Sequence, residues 1–300
     1  MSAITGFADR VRLDGWWATQ GRIAKRTGFY LLIAIFVIAS LFPFYWMIIT
    51  SLKTSADLSK GTTSLLPPAH ISFGSYKFDI AETDKTGVNF GRALLNSLLV
   101  ALSTTVLTLV LAVFAGYALS RTRIRAKSVI LGFILLTSFF PVLAMVGPLY
   151  LAYRHVGLLD NYFALIITYL VYTLPIGTWF LANFFSQIPR QLEEAAVVDG
   201  ATRLQALRRI ILPVAVPGIF TVGILGFILA WNDFAFALSF ISSPSVYTAP
   251  LAIVALGHSQ YQVFYNRIDA AVVLVTLPVA LIVIFAQRRI ISGLTAGALK

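Results

Sequence analysis

The chain has 300 residues, of which 58% are hydrophobic and only 12% charged, and its mean hydropathy is +0.85. A water-soluble fold needs more charge to cover its surface, so this composition excludes an ordinary soluble enzyme and points to a protein whose solvent is largely hydrocarbon. Cysteine is absent, which removes disulfides, thiolate catalysis and Cys-ligated zinc or iron–sulfur centres. The formal charge of +11 is not read as a nucleic-acid signal, because in a membrane chain the placement of Lys and Arg reports topology first.

About 20 apolar residues cross a bilayer as a helix. In chain order, six runs near or above that length lack Lys, Arg, Asp and Glu: Phe29 to Thr50, Ala93 to Leu119, Val129 to Tyr153, Tyr162 to Phe185, Ile210 to Asn232 and Ala270 to Gln287. Basic residues precede the first run, as in a signal peptide. Its length exceeds the roughly 7 to 15 residues of such a segment and no Ala-x-Ala site follows, so it reads as a retained span. The fifth run is expected to continue past Asp233 to about Ile241. The expected fold is all-α and integral to the membrane: six transmembrane helices in one domain over residues 28–287, an N-terminal segment 1–27 and a tail 288–300. No linker or repeat divides it.

Sixteen of the 23 Lys and Arg residues fall on the side of the two termini and seven on the other. The positive-inside rule therefore predicts both termini in the cytoplasm. The first outer loop, Leu52 to Gly91, carries four lysines matched by Asp57, Asp79, Glu82 and Asp84, and the three histidines, His70, His155 and His258, also fall outside.

Residues 186–213 form the one inner loop with room for structure. Pro189 suits the first position of a helix, and Arg190 to Val198 contains no breaker before Asp199 and Gly200, where glycine is the usual left-handed cap. Thr202 and Gln205 have capping-box spacing, and Leu204, Leu207 and Ile211 continue as an apolar stripe until Pro213 stops the second helix. Ala195 and Ala196 leave a smooth spot flanked by the acceptors Glu193, Glu194 and Asp199. Two readings fit the pattern: a docking surface for another protein, or an amphipathic hairpin on the lipid headgroups.

The spacing Glu194-Ala195-Ala196, three residues, Gly200, nine residues, Ile210, one residue, Leu212-Pro213 is similar to the EAA loop of ABC importer permeases. Asn96-Ser97, Trp231-Asn232-Asp233-Phe234 and the ending Gln287 to Gly297 extend the likeness over nearly the whole chain, toward the carbohydrate-uptake, maltose-type branch and its shorter permease. The resemblance implies a type I permease paired with a second, related permease, two ATPase subunits and an external solute-binding protein in a bacterial inner membrane. ATP and Mg would reside on the ATPases, none in this chain. The loop would insert into an ATPase cleft, and Gly293, Leu294, Thr295, Ala296 and Gly297 would make a second contact with the ATPases. The N-terminal 27 residues and the first outer loop depart from the family, so binding-protein contacts there do not carry over.

Within the spans, Asp233 is the one acid deep in hydrocarbon; with Asn232 it is expected to face protein or a water-filled path, either lining a sugar route or fixing helices together. Ala112, Gly116 and Ser120 form a small-residue stripe suited to close helix packing. No G-x-x-x-x-G-K-[ST] phosphate loop occurs, so the energy for transport must come from a partner. No catalytic or metal-ligating constellation is present: Cys is absent, the histidines lie outside and no carboxylates cluster in a span. The resemblance implies sugar import, of a disaccharide or oligosaccharide such as maltose or trehalose. The alternatives are glycerol 3-phosphate or a related sugar phosphate, and an ion-coupled secondary transporter.

Overall fold

The computed structural model describes residues 2–59, 65–68, 70–83, 87–122, 124–256 and 264–295, with only the backbone described for 2–24, 59, 142 and 287–295. All regular structure among them is helical: α1 (Ser2–Ser51), α2 (Ser55–Ser59), α3 (Gly74–Ala81), α4 (Phe90–Arg121), α5 (Lys127–Thr137), α6 (Val146–His155), α7 (Tyr162–Gln187), α8 (Arg190–Val198), α9 (Arg203–Ala206), α10 (Leu212–Trp231), α11 (Ala235–Phe240), α12 (Ala249–Leu256) and α13 (Tyr265–Thr295). A π turn, Leu207–Ile211, joins α9 to α10.

The centre of the bundle is α4 against α7 and α10. Along α4 and α7 the partners rise together: Tyr162 Oη donates to Asn96 Oδ1 at 2.8 Å, Thr108 and Thr173 share a 2.7 Å hydrogen bond, and Gly116 lies against Leu181 and Ala182. The two helices are therefore parallel. A Cβ on Gly116 would sit 3.0 Å from the Ala182 nitrogen, so the small-residue stripe does serve close packing, with Ala112 and Ser120 also buried. Helix α10 runs the other way, with Gly218 under the Phe184 ring, Val222 against Gly177 and Asp233 at Tyr169.

Parallel α4 and α7 force the chain between them to return the length of the bundle. That passage was expected as one helix, Val129 to Tyr153. It is instead split into α5 and α6 around Pro141, with i→i−3 bonds at Ser138, Phe139 and Phe140 and a 3₁₀ turn at Val142–Met145. Proline lacks an N–H and disfavours α geometry in the residue before it, so the run breaks there. Among the described residues, five uninterrupted helices are long and apolar enough to cross a membrane, namely Lys25–Ser51, α4, α7, Arg203–Trp231 and Tyr265–Ala286. The α5–α6 pair makes the sixth passage.

The fifth span also ends earlier than expected. Helix α10 stops at Trp231, and α11 starts afresh at Ala235, because the Asp233 carboxylate accepts the Ala237 N–H at 3.2 Å and so caps a new first turn. This end of the bundle is held by side chains bonded to backbone. Asn96 donates to the carbonyls of Ser245 and Tyr247 at 3.1 and 2.9 Å, and Ser97 Oγ accepts from Ala249 N at 2.7 Å. Asp160, in a left-handed conformation with φ 60°, accepts from the N–H groups of Ser242 and Ser243 at 2.9 Å and from the Ser243 hydroxyl.

Candidate functional site

At the opposite end of the bundle, residues 190–211 fold into a hairpin whose turn follows from its sequence. Helix α8 begins after Pro189, which is the cap residue and not, as expected, the first helical one. It ends in a Schellman turn: Gly200 N–H bonds Val197 O at 3.0 Å, Ala201 N–H bonds Ala196 O at 2.9 Å, and Gly200 has φ +89°. No atom lies within 4 Å of the Cβ that a substitution at Gly200 would add, so the glycine is needed for its backbone angle and not for space. The capping box forms as expected, with Thr202 N–H to Gln205 Oε1 at 2.8 Å and Gln205 N–H to Thr202 Oγ1 at 3.3 Å.

Pro213 does not stop the second helix. The chain passes from α9 through the π turn into α10 as one helix, Arg203–Trp231. Leu212 N–H reaches back five residues to Leu207 O, and the wider turn takes in a proline that has no N–H to give. The π turn also shifts the side-chain register: Leu207 and Ile211 are buried beside Phe185, Ala112 and Val113, whereas Leu204 is exposed and leaves the expected stripe. Of the motif residues, Glu194, Ala195, Gly200 and Pro213 are exposed, Ile210 and Leu212 are half-buried, and Ala196 is buried.

Glu193 behaves differently from its neighbours. Its Oε1 accepts from Tyr117 Oη at 2.5 Å and its Oε2 lies 3.1 Å from Arg121 Nε, while Arg121 Nη2 donates to Ile188 O at 3.0 Å. Glu193 thus turns inward and is no part of an outward acceptor ring with Glu194 and Asp199. Sequence reasoning missed Tyr117 and Arg121; the available signal was their i, i+4 spacing, which puts both on one face at the end of α4. A cleft of about 670 Å³ opens here, lined by Arg121, Arg190, Glu194, Val197, Val198 and Arg203 among others.

The two polar residues proposed within the spans lie at the other end of α10. Asp233 Oδ2 accepts from the buried Tyr169 hydroxyl at 2.7 Å, while exposed Asn232 donates to Ile228 O of its own helix at 2.9 Å. Gly293, Leu294 and Thr295 extend α13 in its backbone, beyond the expected end near Gln287; Ala296 and Gly297 lie outside the described residues. No group of three His, Cys, Asp or Glu able to hold a metal occurs among the described residues.

Residues 108–295 match the family model described as "Binding-protein-dependent transport system inner membrane component". The chain belongs to this family. As a whole this permease is 40% identical over 271 residues to the sulfoquinovosyl glycerol transport system permease protein SmoH of Agrobacterium fabrum, covering 90% of this chain and 93% of that one. It is 37% identical to the trehalose transport system permease protein SugB of Mycobacterium tuberculosis, covering 92% of this chain and 99% of that one. Among solved structures, a chain of a bacterial ABC transporter involved in the import of the acidic polysaccharide alginate superposes with a TM-score of 0.71 at 27% identity, over 86% of this permease and 93% of that chain. The type I permease fold expected from the EAA spacing is therefore the fold present, a membrane-embedded transport subunit.

Proposed function

We propose that this permease is the membrane-spanning half of an ATP-driven importer for a disaccharide or oligosaccharide, working with a second, related permease, two ATPase subunits and a solute-binding protein outside the cell. The observation that supports it most is the capped hairpin at the arginine-rich end of the bundle, which leaves Leu192, Val197, Val198 and Leu204 exposed beside Glu194. An apolar patch rimmed by charge is what a protein partner covers. The arginine excess supports a cytoplasmic position for that end and for both termini, in a bacterial inner membrane.

In this reading the ATPases hold ATP and Mg and close on nucleotide, the hairpin rides with them, and the continuous Arg203–Trp231 helix carries the displacement into the bundle. Gly293 to Lys300 would form a second contact between the ATPases. Asn232 would line the sugar path, while Asp233, bonded to Tyr169, fixes the break beside it. The trehalose and sulfoquinovosyl glycerol permeases among its relatives support a sugar as cargo. The test is calorimetry of the cognate solute-binding protein against a panel of disaccharides, oligosaccharides and glycerol 3-phosphate, followed by uptake of the tightest ligand in cells with and without the permease. Uptake of a bound sugar that vanishes with the permease supports the reading; tight binding of glycerol 3-phosphate alone, or uptake that persists without ATP, contradicts it.

A further inference from the structure

We propose that Arg121 and Tyr117 of α4 grip Glu193 of the hairpin as a mechanical joint, so that α8 and α4 move as one body. Arg121 is the positioning residue of that joint.

Three observations carry this. The pair is enclosed although it lies at the end of the bundle: the Arg121 and Glu193 side chains are 7% and 13% exposed. Ions are withdrawn from water only where their partners are well placed, and removing one partner leaves the other uncompensated. The grip is also two-sided: one Glu193 oxygen accepts from the Tyr117 hydroxyl, the other lies in ion-pair range of Arg121 Nε without an aligned hydrogen bond, and Arg121 Nη2 holds Ile188 O, at the junction of α7 and α8. Finally, both connections of α8 leave the α-helical path, so the helix does not run on into either neighbour. One passes through Ile188-Pro189, the other through the left-handed Gly200, whereas α9 runs on into α10. Glu193 is therefore the direct tie of α8 to α4, beside the packing of α8 on α9 and the π turn. Because α4 packs along α7 and α10, whatever displaces α8 displaces the centre of the bundle.

The proposal rests on the hairpin being the ATPase dock, and its test separates the two. The chain has no cysteine, so Gln191 on α8, outside the apolar docking patch, and Phe114 on α4, both exposed, can be replaced by cysteine and spin-labelled in the assembled importer with cysteine-free partners. Their distance distribution is measured without nucleotide and with ATP and vanadate. With Arg121 and Glu193 intact it stays narrow and unshifted. In Glu193→Gln and Arg121→Gln it broadens, with about a tenfold rise in the detached arrangement, while ATPase co-purification and basal ATP hydrolysis remain. Arg121→Lys, which keeps charge but loses the fork, falls between. Wild-type distributions in all three variants would overturn the joint. If the ATPases fail to co-purify with the unsubstituted permease, the docking reading falls; the same label pair in the permease alone then decides the joint, broadening in Glu193→Gln supporting it and an unchanged width overturning it.

Discussion

The two ends of α10 are built on opposite plans. At the Trp231 end, a carboxylate, an amide and a hydroxyl reach from one segment to the backbone of another, Asn96 and Ser97 to 245–249 and Asp160 to 242–243, while Asp233 bonds the nearby Ala237 N–H and the Tyr169 hydroxyl. At the Leu212 end, α10 passes through a π turn into a largely exposed hairpin whose first helix is tied to α4 through Glu193. Several bonds to backbone fix the relative position of whole segments at the first end, while at the second a single such bond, Arg121 to Ile188 O, stands beside the Glu193 tie and the π turn. The comparison teaches that the two ends of one helix are anchored by different means, with more inter-segment backbone bonds at one end than at the other.

The comparison is broken most severely at Gly200. Gly200→Val places a β-branched residue at φ +89°, at least about 1–2 kcal/mol uphill. ATPase co-purification is expected to be lost while membrane insertion is unchanged, as quantitative blotting of membrane fractions would show. Next, Tyr169→Phe removes the hydroxyl that Asp233 accepts from and is expected to cost about 1–3 kcal/mol in a denaturant titration in detergent. Wild-type stability would mean that Asp233 finds water instead.

A smaller effect is expected at Asp160. Burial alone raises its pKa, but the hydrogen bonds from the Ser243 hydroxyl and from the Ser243 and Ser242 N–H groups outweigh this and hold it below the usual carboxylate range. The clasp's contribution is therefore complete above about pH 4 and is lost as pH falls through the lowered folded value. Asp160→Ala should speed amide exchange at Ser242 and Ser243 about tenfold at neutral pH, and Asp160→Asn less. Equal exchange in all three proteins would remove the clasp from the Trp231 end. The smallest effect belongs to the bundle centre. Thr173 donates to Tyr169 O, so Thr108 supplies the proton of their shared bond, and Thr108→Val should cost about 0.6 kcal/mol in the same denaturant titration.

What the sequence made legible was local. The Thr202–Gln205 box and the Gly200 turn depend on neighbours within a few residues, and both form as their spacing predicts. Five of the six apolar runs are uninterrupted spans because length and composition decide them. The breaks were harder to read: Pro141 divides a helix whereas Pro175, also inside an apolar run, does not, and only tertiary neighbours decide which proline is tolerated. Pro213 seemed a stop because π geometry has no periodicity of its own in sequence. Glu193 and Glu194 are adjacent acids, and nothing along the chain tells which one turns inward; that depends on Arg121, 72 positions away in sequence.

The central claim is that the hairpin end faces the ATPases and the Trp231 end does not. Since the native chain has no cysteine, single cysteines at Val198 on the hairpin and at Val156 beyond α6, both exposed, can each carry a short photo-crosslinker in membranes containing the assembled importer. The account predicts that Val198→Cys captures an ATPase subunit, identified by mass spectrometry, and that Val156→Cys does not. Capture of an ATPase from position 156, or its absence at position 198 in a complex that still hydrolyses ATP, would contradict it.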